Sequence, residues 1–260
     1  MKLQQLKDTA NAMVADGKGI LAMDESNPTC NKRFESLGIP TTPENRRAYR
    51  DMLLTTPDLG DYISGAILFD ETIRQTTLAG KPFAEFAQSV GIIPGIKVDT
   101  GAKELAGHQG EKVTEGLDGL RDRLAAYVDM GARFAKWRAV ITIGKNIPSV
   151  GCISANAHGL ARYAGLCQEA GLVPIVEPEV LIDGEHTIER CFEVTEATLH
   201  RVFAALVEQR VVLEGMVLKP NMVISGKDCT KRAGIEEVAT QTVRCLLNAV
   251  PASVPGIAFL

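Results

Sequence analysis

Short apolar runs alternate with longer amphipathic segments along most of this 260-residue chain, and this alternation constrains the fold more than any other feature. Helices are predicted where apolar residues recur every three or four positions, at 117–130, 157–170, 195–209 and 236–250. Strands are predicted at 19–24, 65–69, 95–98, 134–140, 173–177, 216–219 and 257–260. Strict alternation of strands and helices predicts an α/β fold with a parallel sheet covered by helices.

Two architectures meet this description, an open doubly wound sheet and a (β/α)8 TIM barrel. No GxGxxG follows the first strand and no GxxxxGK[ST] occurs, which disfavours a nucleotide-binding open sheet. Five predicted strands carry ionisable residues at their carboxyl ends, and a barrel gathers those ends at one mouth. The sequence therefore predicts a single TIM-barrel domain over residues 1–260.

The last predicted strand, 257–260, reaches the end of the sequence inside an apolar run. A folded domain rarely ends within a buried strand whose backbone groups would be left unpaired. We therefore expect a barrel truncated after its seventh strand, without the eighth βα unit.

Composition excludes several classes of function. With a net charge of -4 the chain has no basic excess, so neither nucleic acid nor an anionic membrane is expected as a partner. Six scattered cysteines without CxxC spacing indicate free thiols in a reducing compartment. No signal peptide or membrane-length apolar run occurs, so a cytoplasmic location is expected. The four histidines lack metal-ligand spacing; no metal and no cofactor are predicted.

Lys219 is the most informative single residue. It closes the apolar run 215–218 and is followed by Pro220, which ends the strand because it has no N–H. A lysine in a dry site tends to lose its proton, and a neutral lysine is a nucleophile towards carbonyl groups. The alternative is a strand-end lysine that extends its ammonium group to water.

The other strand ends supply partners for such a nucleophile. Lys136 would disfavour a second positive charge nearby, and Glu177 could donate and accept protons during Schiff-base formation. Asp24 could act as a base on a substrate hydroxyl, while Lys97 and Arg138 could bind an anionic substrate. In the alternative interpretation, Glu177 simply neutralises Lys136, and Lys97 forms a plain ion pair with Asp99.

The loop after the first strand, residues 25–33, is rich in hydroxyl groups and ends in two cations ahead of a helical stretch. This pattern is typical of a phosphate-binding segment, although a solvated loop is an equal alternative. Arg46 and Arg47, at the start of the next helix, are most simply surface charges.

Five segments in order resemble the signature segments of class I fructose-bisphosphate aldolases: GKGILAMDES (17–26), GIKVD (95–99), FAKWR (134–138), VEPE (176–179) and LEGMVLKPNM (213–222). The resemblance extends from the first helix to residue 260. It implies a (β/α)8 barrel, usually a homotetramer, that cleaves fructose 1,6-bisphosphate to dihydroxyacetone phosphate and glyceraldehyde 3-phosphate.

The resemblance also implies roles for individual residues. Lys219 resembles the Schiff-base lysine, Glu177 the general acid/base, Asp24 the base at the C4 hydroxyl, and Lys136 the cation beside the nucleophile. Thr29 stands where a serine is common in animal forms. Substrate contacts are implied for Ser26, Thr29, Arg33, Arg46, Lys97, Arg138 and Glu179.

In the family the chain continues with a Gly/Ser-rich phosphate loop, an arginine after the eighth strand and a tail ending in tyrosine, none of which is in this sequence. An inactive truncated barrel is therefore one rival interpretation. Another Schiff-base barrel, such as a transaldolase or a deoxyribose-phosphate aldolase, is a second rival. Residues 24–30 resemble forms from photosynthetic organisms, so a plastid stroma is the alternative location.

Overall fold

The structure, a computed structural model, describes residues 3–259. The strands within them are β1 (Gly19–Ala22), β2 (Ile63–Leu68), β3 (Ile93–Lys97), β4 (Gly101–Glu104), β5 (Lys112–Glu115), β6 (Phe134–Ile141), β7 (Val173–Val180) and β8 (Val217–Leu218). Six of them form one parallel sheet in the order β1-β2-β3-β6-β7-β8. The remaining two, β4 and β5, form an antiparallel hairpin.

Helices occupy the connections between the parallel strands. They are α1 (Leu3–Met13), α2 (Asn27–Ser36), α3 (Pro43–Leu54), α4 (Leu59–Tyr62), α5 (Asp70–Ile73), α6 (Phe83–Ser89), α7 (Leu120–Asp129), α8 (Val150–Glu169), α9 (Ile188–Glu208) and α10 (Ile235–Ala249), with a 3-10 turn at Leu213–Gly215. Hydroxyl side chains cap three of them by accepting from a backbone N–H of the first turn: Thr42, Ser149 and Thr187.

The α/β class and the parallel sheet are confirmed, but the number of strands in that sheet is six rather than seven. In the run 257–260, Ile257 forms a single parallel bridge with Leu218, and residue 260 lies outside the described residues. Backbone hydrogen bonds from Leu218 N to Gly256 O (3.2 Å) and from Ala258 N to Leu218 O (2.8 Å) flank this bridge. The expected truncation after a seventh strand stays a prediction.

On the inner face of the sheet, the residues change from apolar to ionisable along the strands. On β6, Phe134 is buried in an apolar cluster, while Lys136 and Arg138, which share its face, line a cavity. On β7, Ile175 and Glu177 repeat this pattern. The amino ends of the strands thus form an apolar floor, and the carboxyl ends hold the ionisable groups.

Helix α1 covers that floor with Leu6, Ala10 and Met13, all of which are fully buried. A larger apolar core fills the space between the outer face of the sheet and the surrounding helices. The sheet therefore has packed faces on both sides, as expected for parallel strands, and the ionisable groups of the described strands lie at their carboxyl ends.

Candidate active site

A cavity of about 510 Å3 opens at the carboxyl ends of the parallel strands. Its walls come from strand ends and from the loops after β1, β7 and β8, which lie far apart in sequence. Ten of the eleven predicted site residues line it: Asp24, Ser26, Thr29, Arg33, Lys97, Lys136, Arg138, Glu177, Glu179 and Lys219.

Lys219 and Glu177 form the innermost pair. Glu177 Oε1 accepts a hydrogen bond from Lys219 Nζ, and the two residues are only 9% and 2% exposed. The strand register explains the contact: Val176 pairs with Leu218, so the next residue on each strand faces the cavity. The amine and the carboxylate are thus held within proton-transfer distance in a site that excludes most water.

Lys136 is shared between two carboxylates. Its Nζ lies 3.0 Å from Asp24 Oδ2 and 3.3 Å from Glu177 Oε2. Burial lowers the pKa of Lys136, but the charges of Asp24 and Glu177 outweigh burial and leave that pKa above its ordinary value. Lys136 is therefore a fixed cation beside Lys219, and it does not simply neutralise Glu177.

One oxygen of Glu177 lacks a well-formed hydrogen bond. Within residues 3–259 no group forms a hydrogen bond of good geometry to the buried Oε2 atom, although Lys136 Nζ is nearby. A buried carboxylate oxygen without a hydrogen bond is costly unless a ligand or water uses it. The two oxygens of Glu177 thus differ, because Oε1 accepts from Lys219 and Oε2 has only the nearby charge of Lys136.

Two further cations stand nearer the mouth. Arg138 Nε donates to Glu179 Oε2. Burial lowers the pKa of Arg138, but the combined effect of Glu179, Glu177 and Asp99 raises that pKa overall. Lys97 Nζ is 2.5 Å from Asp99 Oδ1 and 3.1 Å from Asp99 O, so the ion pair predicted from the sequence is present. Even so, both cations reach the cavity wall and can meet an anion there.

The loop after β1 brings hydroxyl groups and a further cation to the cavity. Ser26 Oγ and Thr29 Oγ1 are 3.1 Å apart at the start of α2, and Arg33 extends at the rim. Glu25 ties this segment to α3 through buried Arg50, a contact that sequence reasoning missed. Burial raises the pKa of Glu25, but its hydrogen bonds and Coulombic contacts, chiefly with Arg50, lower it overall.

Arg46 is the exception among the predicted site residues. It does not line the cavity, and it is not a surface charge either, because it is 7% exposed. Its guanidinium forms two 2.7 Å hydrogen bonds to Glu71 and one of 2.9 Å to Asn31 Oδ1. Arg46 holds helices α2, α3 and α5 together, and a substrate contact of this residue stays a prediction.

Several cavity residues carry no chemical signature in the sequence. Asn221 and Met222 follow the nucleophile strand, while Ile182 and Ile224 come from the loops after β7 and β8. Asn221 stands beside Pro220 in a segment that the sequence analysis singled out, and an amide directly after a catalytic strand was the available signal. The apolar residues could not be distinguished from ordinary core residues.

The six cysteines are free thiols, as predicted, and all but Cys229 are buried. Between residues 3 and 259, histidine, cysteine and carboxylate side chains form no group of three able to hold a metal ion. Over the same range, no helix combines the length and apolar character required to cross a membrane.

The chain matches the family described as fructose-bisphosphate aldolase class-I over residues 5–260. A probable class 1 fructose-bisphosphate aldolase from Xanthomonas campestris pv. campestris is 67% identical over the whole chain, which spans 78% of that protein. Fructose-bisphosphate aldolase 1, chloroplastic, from Chlamydomonas reinhardtii is 52% identical over 99% of the chain and 68% of its own length.

A solved structure gives the same result for the fold. Fructose-bisphosphate aldolase from Plasmodium falciparum, in complex with TRAP and a small molecule inhibitor, superposes with a TM-score of 0.97 at 50% identity, covering 98% of this chain and 74% of the other. The family match, these relatives and the shared fold lead to one conclusion: this chain belongs to the class I fructose-bisphosphate aldolases and is a lyase.

Proposed function

We propose that this aldolase cleaves fructose 1,6-bisphosphate through a Schiff base on Lys219, with Glu177 as the general acid/base. The observation that carries the proposal is the buried contact between Lys219 Nζ and Glu177 Oε1, set beside the fixed cation Lys136. Transfer of the ammonium proton to Glu177 across this contact yields the neutral amine that attacks a ketone.

In the first half of the reaction, neutral Lys219 attacks the C2 carbonyl carbon of the open-chain sugar. Glu177 gives its proton to the carbonyl oxygen and takes one from the attacking nitrogen. The resulting carbinolamine loses its hydroxyl as water when Glu177 supplies a second proton, leaving an iminium. Glu177 suits this task because one of its oxygens faces the amine and the other, Oε2, is free of any well-formed hydrogen bond from residues 3–259.

Carbon–carbon cleavage follows from the position of Asp24. Its carboxylate, held by Lys136 at 3.0 Å, accepts the proton of the C4 hydroxyl. The C3–C4 bonding electrons then move into the iminium and form an enamine, and glyceraldehyde 3-phosphate leaves. Protonation at C3 and hydrolysis of the iminium release dihydroxyacetone phosphate and restore the lysine.

The remaining cations and hydroxyl groups suit the ends of a bisphosphate substrate. We propose that Ser26, Thr29 and Arg33 bind a phosphate on one wall, that Lys97 and Arg138 bind anionic or hydroxyl groups of the substrate, and that Glu179 orients Arg138. Three cations in one cavity, Arg33, Lys97 and Arg138, favour a substrate with two phosphates over the monophosphate sugars of other Schiff-base barrels.

Reductive trapping tests the nucleophile. Borohydride is added to the protein with dihydroxyacetone phosphate, and the labelled peptide is identified by mass spectrometry. We expect the label on Lys219 and its disappearance in Lys219→Arg, with full labelling in Lys227→Arg, a control at an exposed lysine paired with Asp183. A label on another residue, or an unlabelled protein, would remove this mechanism and revive the inactive-barrel interpretation.

We also propose that the protein assembles as a homotetramer in the cytoplasm. The family resemblance supports the first statement, and the free, mostly buried cysteines support a reducing compartment. Light scattering coupled to size-exclusion chromatography gives the number of subunits, and a monomer at micromolar concentration would contradict the tetramer. A fluorescent fusion reports the compartment, with a plastid signal as the opposing outcome.

A further inference from the structure

The strand that carries Lys219 has only a short backbone pairing with β7, the strand that carries Glu177. Strand β8 is two residues long and pairs with β7 at only two positions, Ile175 with Val217 and Val176 with Leu218. Beyond them, Lys219 N donates to Val176 O at 2.9 Å. Pro220 then has no N–H to donate, so the ladder cannot continue past the nucleophile.

The side chain of Asn221 continues this connection. Its Oδ1 accepts from Val180 N at 3.0 Å, and its Nδ2 donates to Thr195 Oγ1 at 3.0 Å and to Met222 O at 2.9 Å. Because Val180 N–H can only donate, the atom that faces it must be the amide oxygen, and this fixes the orientation of the amide. One side chain thus links the end of β7, helix α9 and the loop after β8.

These links surround the acid/base residue. Val176 and Val180 lie on either side of Glu177 in β7, and each is tied to the nucleophile segment, the first through Lys219 N and the second through Asn221. The two cross-links fix how far the strand ends can separate. They therefore fix the distance between Lys219 Nζ and Glu177 Oε1, across which the protons of Schiff-base formation must move.

We propose that Asn221 is a positioning residue that holds Lys219 against Glu177, with buried Thr195 as its support on α9. Asn221 itself touches the cavity, but its amide points to protein groups and not to the reacting atoms. Removing the amide is expected to slow the steps that need the pair and to leave phosphate binding intact. The inference rests on the roles proposed above for Lys219 and Glu177.

The test compares Asn221→Ala with Asn156→Ala. Asn156 is also a buried asparagine; it accepts from Thr114 N, donates to the carbonyls of Lys112 and Cys152, and does not line the cavity. We expect both variants to lose thermal stability. Only Asn221→Ala should lower kcat and the rate of borohydride labelling, by about tenfold to a hundredfold as for an ångström-scale misplacement, with KM within about twofold.

A second pair of variants covers the case in which Asn221→Ala does not fold. Thr195→Val removes the hydroxyl acceptor at nearly constant shape, whereas Thr195→Ser keeps it, and Thr195 does not line the cavity. We expect Thr195→Val to lower kcat and Thr195→Ser to restore it.

The outcomes separate the two proposals. Normal labelling of Lys219 together with unchanged kcat in Asn221→Ala and Thr195→Val would overturn the positioning role alone. Equal losses of kcat in the Asn221 and Asn156 variants would do the same, because they would show only a loss of folded protein. A wild-type protein that is not labelled at Lys219 would overturn both proposals.

Discussion

Asp99 shows how one buried carboxylate can organise a binding cation. Its oxygens accept from Lys97 Nζ, from Gly101 N at 3.1 Å and from Arg138 N at 3.3 Å. The first contact fixes an amine that faces the cavity, and the other two fix backbone on either side. An ion pair therefore does not exclude a substrate contact here, since the lysine has further donors to offer an anion.

The proposed phosphate contact of Lys97 can be measured with Lys97→Met. Loss of one charged hydrogen bond, about 1.5–3 kcal/mol, should lower kcat/KM for fructose 1,6-bisphosphate by about 10- to 150-fold, mainly through KM. Lys103→Met, at an exposed lysine on the adjoining hairpin, serves as the control. An unchanged KM in a folded Lys97→Met protein would remove Lys97 from the substrate site.

Site residues on strands could be predicted from the sequence, because alternate residues of a strand face the same side of the sheet. Lys136 and Arg138 share a face of β6, and Glu177 shares a face with Glu179, because side chains alternate. The burial of Arg46 could not be predicted, because its partner Glu71 lies on another helix. Asn221 was missed as a positioning residue for the same reason, since its partners come from β7 and α9.

The buried ring of Phe134 on β6 restricts which residue can stand at position 95 on the neighbouring strand β3. The ring of Phe134 lies across the inner face, and a Cβ added to Gly95 on the paired strand β3 would be 2.2 Å from two of its ring atoms. Only glycine permits this approach, because any larger residue must displace a fully buried ring. The glycine at the start of the GIKVD segment is thus explained by packing.

Two glycine variants separate this packing from backbone effects. Gly95→Ala should lower the free energy of unfolding by about 1–3 kcal/mol because it overpacks the inner face. Gly159→Ala should raise it by about 0.5–1 kcal/mol, because Gly159 is inside α8 and an added Cβ meets nothing within 4 Å. Urea unfolding measures both changes, and a Gly95→Ala protein as stable as wild type would contradict the packing argument.

Helices and strands with a clear apolar periodicity could be predicted from the sequence, and elements without one could not. Helix α10 was predicted at 236–250 and lies at Ile235–Ala249. Helices α8 and α9 each begin seven residues earlier than predicted, because capping by Ser149 and Thr187 starts a first turn that lacks a clear apolar stripe. The hairpin of β4 and β5 was missed because its short strands, GAKE and KVTE, have no apolar run.

Across the whole molecule, stability and chemistry occupy opposite ends of the same strands. The apolar floor is closed by α1, whereas Lys219 and Glu177 stand at the carboxyl ends. This division is expected for a barrel-type sheet, in which the carboxyl ends serve catalysis. Changes at the floor should therefore alter the stability of the fold and leave the reaction almost untouched.

The two leucines of α1 test this separation. Leu6 is 1% exposed and packs in the floor cluster, while Leu3, one turn earlier on the same helix, is 39% exposed. Leu6→Ala should cost about 2–5 kcal/mol of stability, because it removes buried methyl groups and leaves a cavity. For a chain of this size that loss corresponds to a fall in Tm of roughly 4–20 °C.

The matched control, Leu3→Ala, should change stability by no more than about 0.5 kcal/mol, as is usual for an exposed position. Calorimetry gives Tm for both variants, and kcat measured well below the lower Tm should stay near the wild-type value in each. Equal Tm values for Leu6→Ala and Leu3→Ala would contradict the role of α1 in closing the floor. A lower kcat in folded Leu6→Ala would instead show that the floor and the catalytic ends of the strands are coupled.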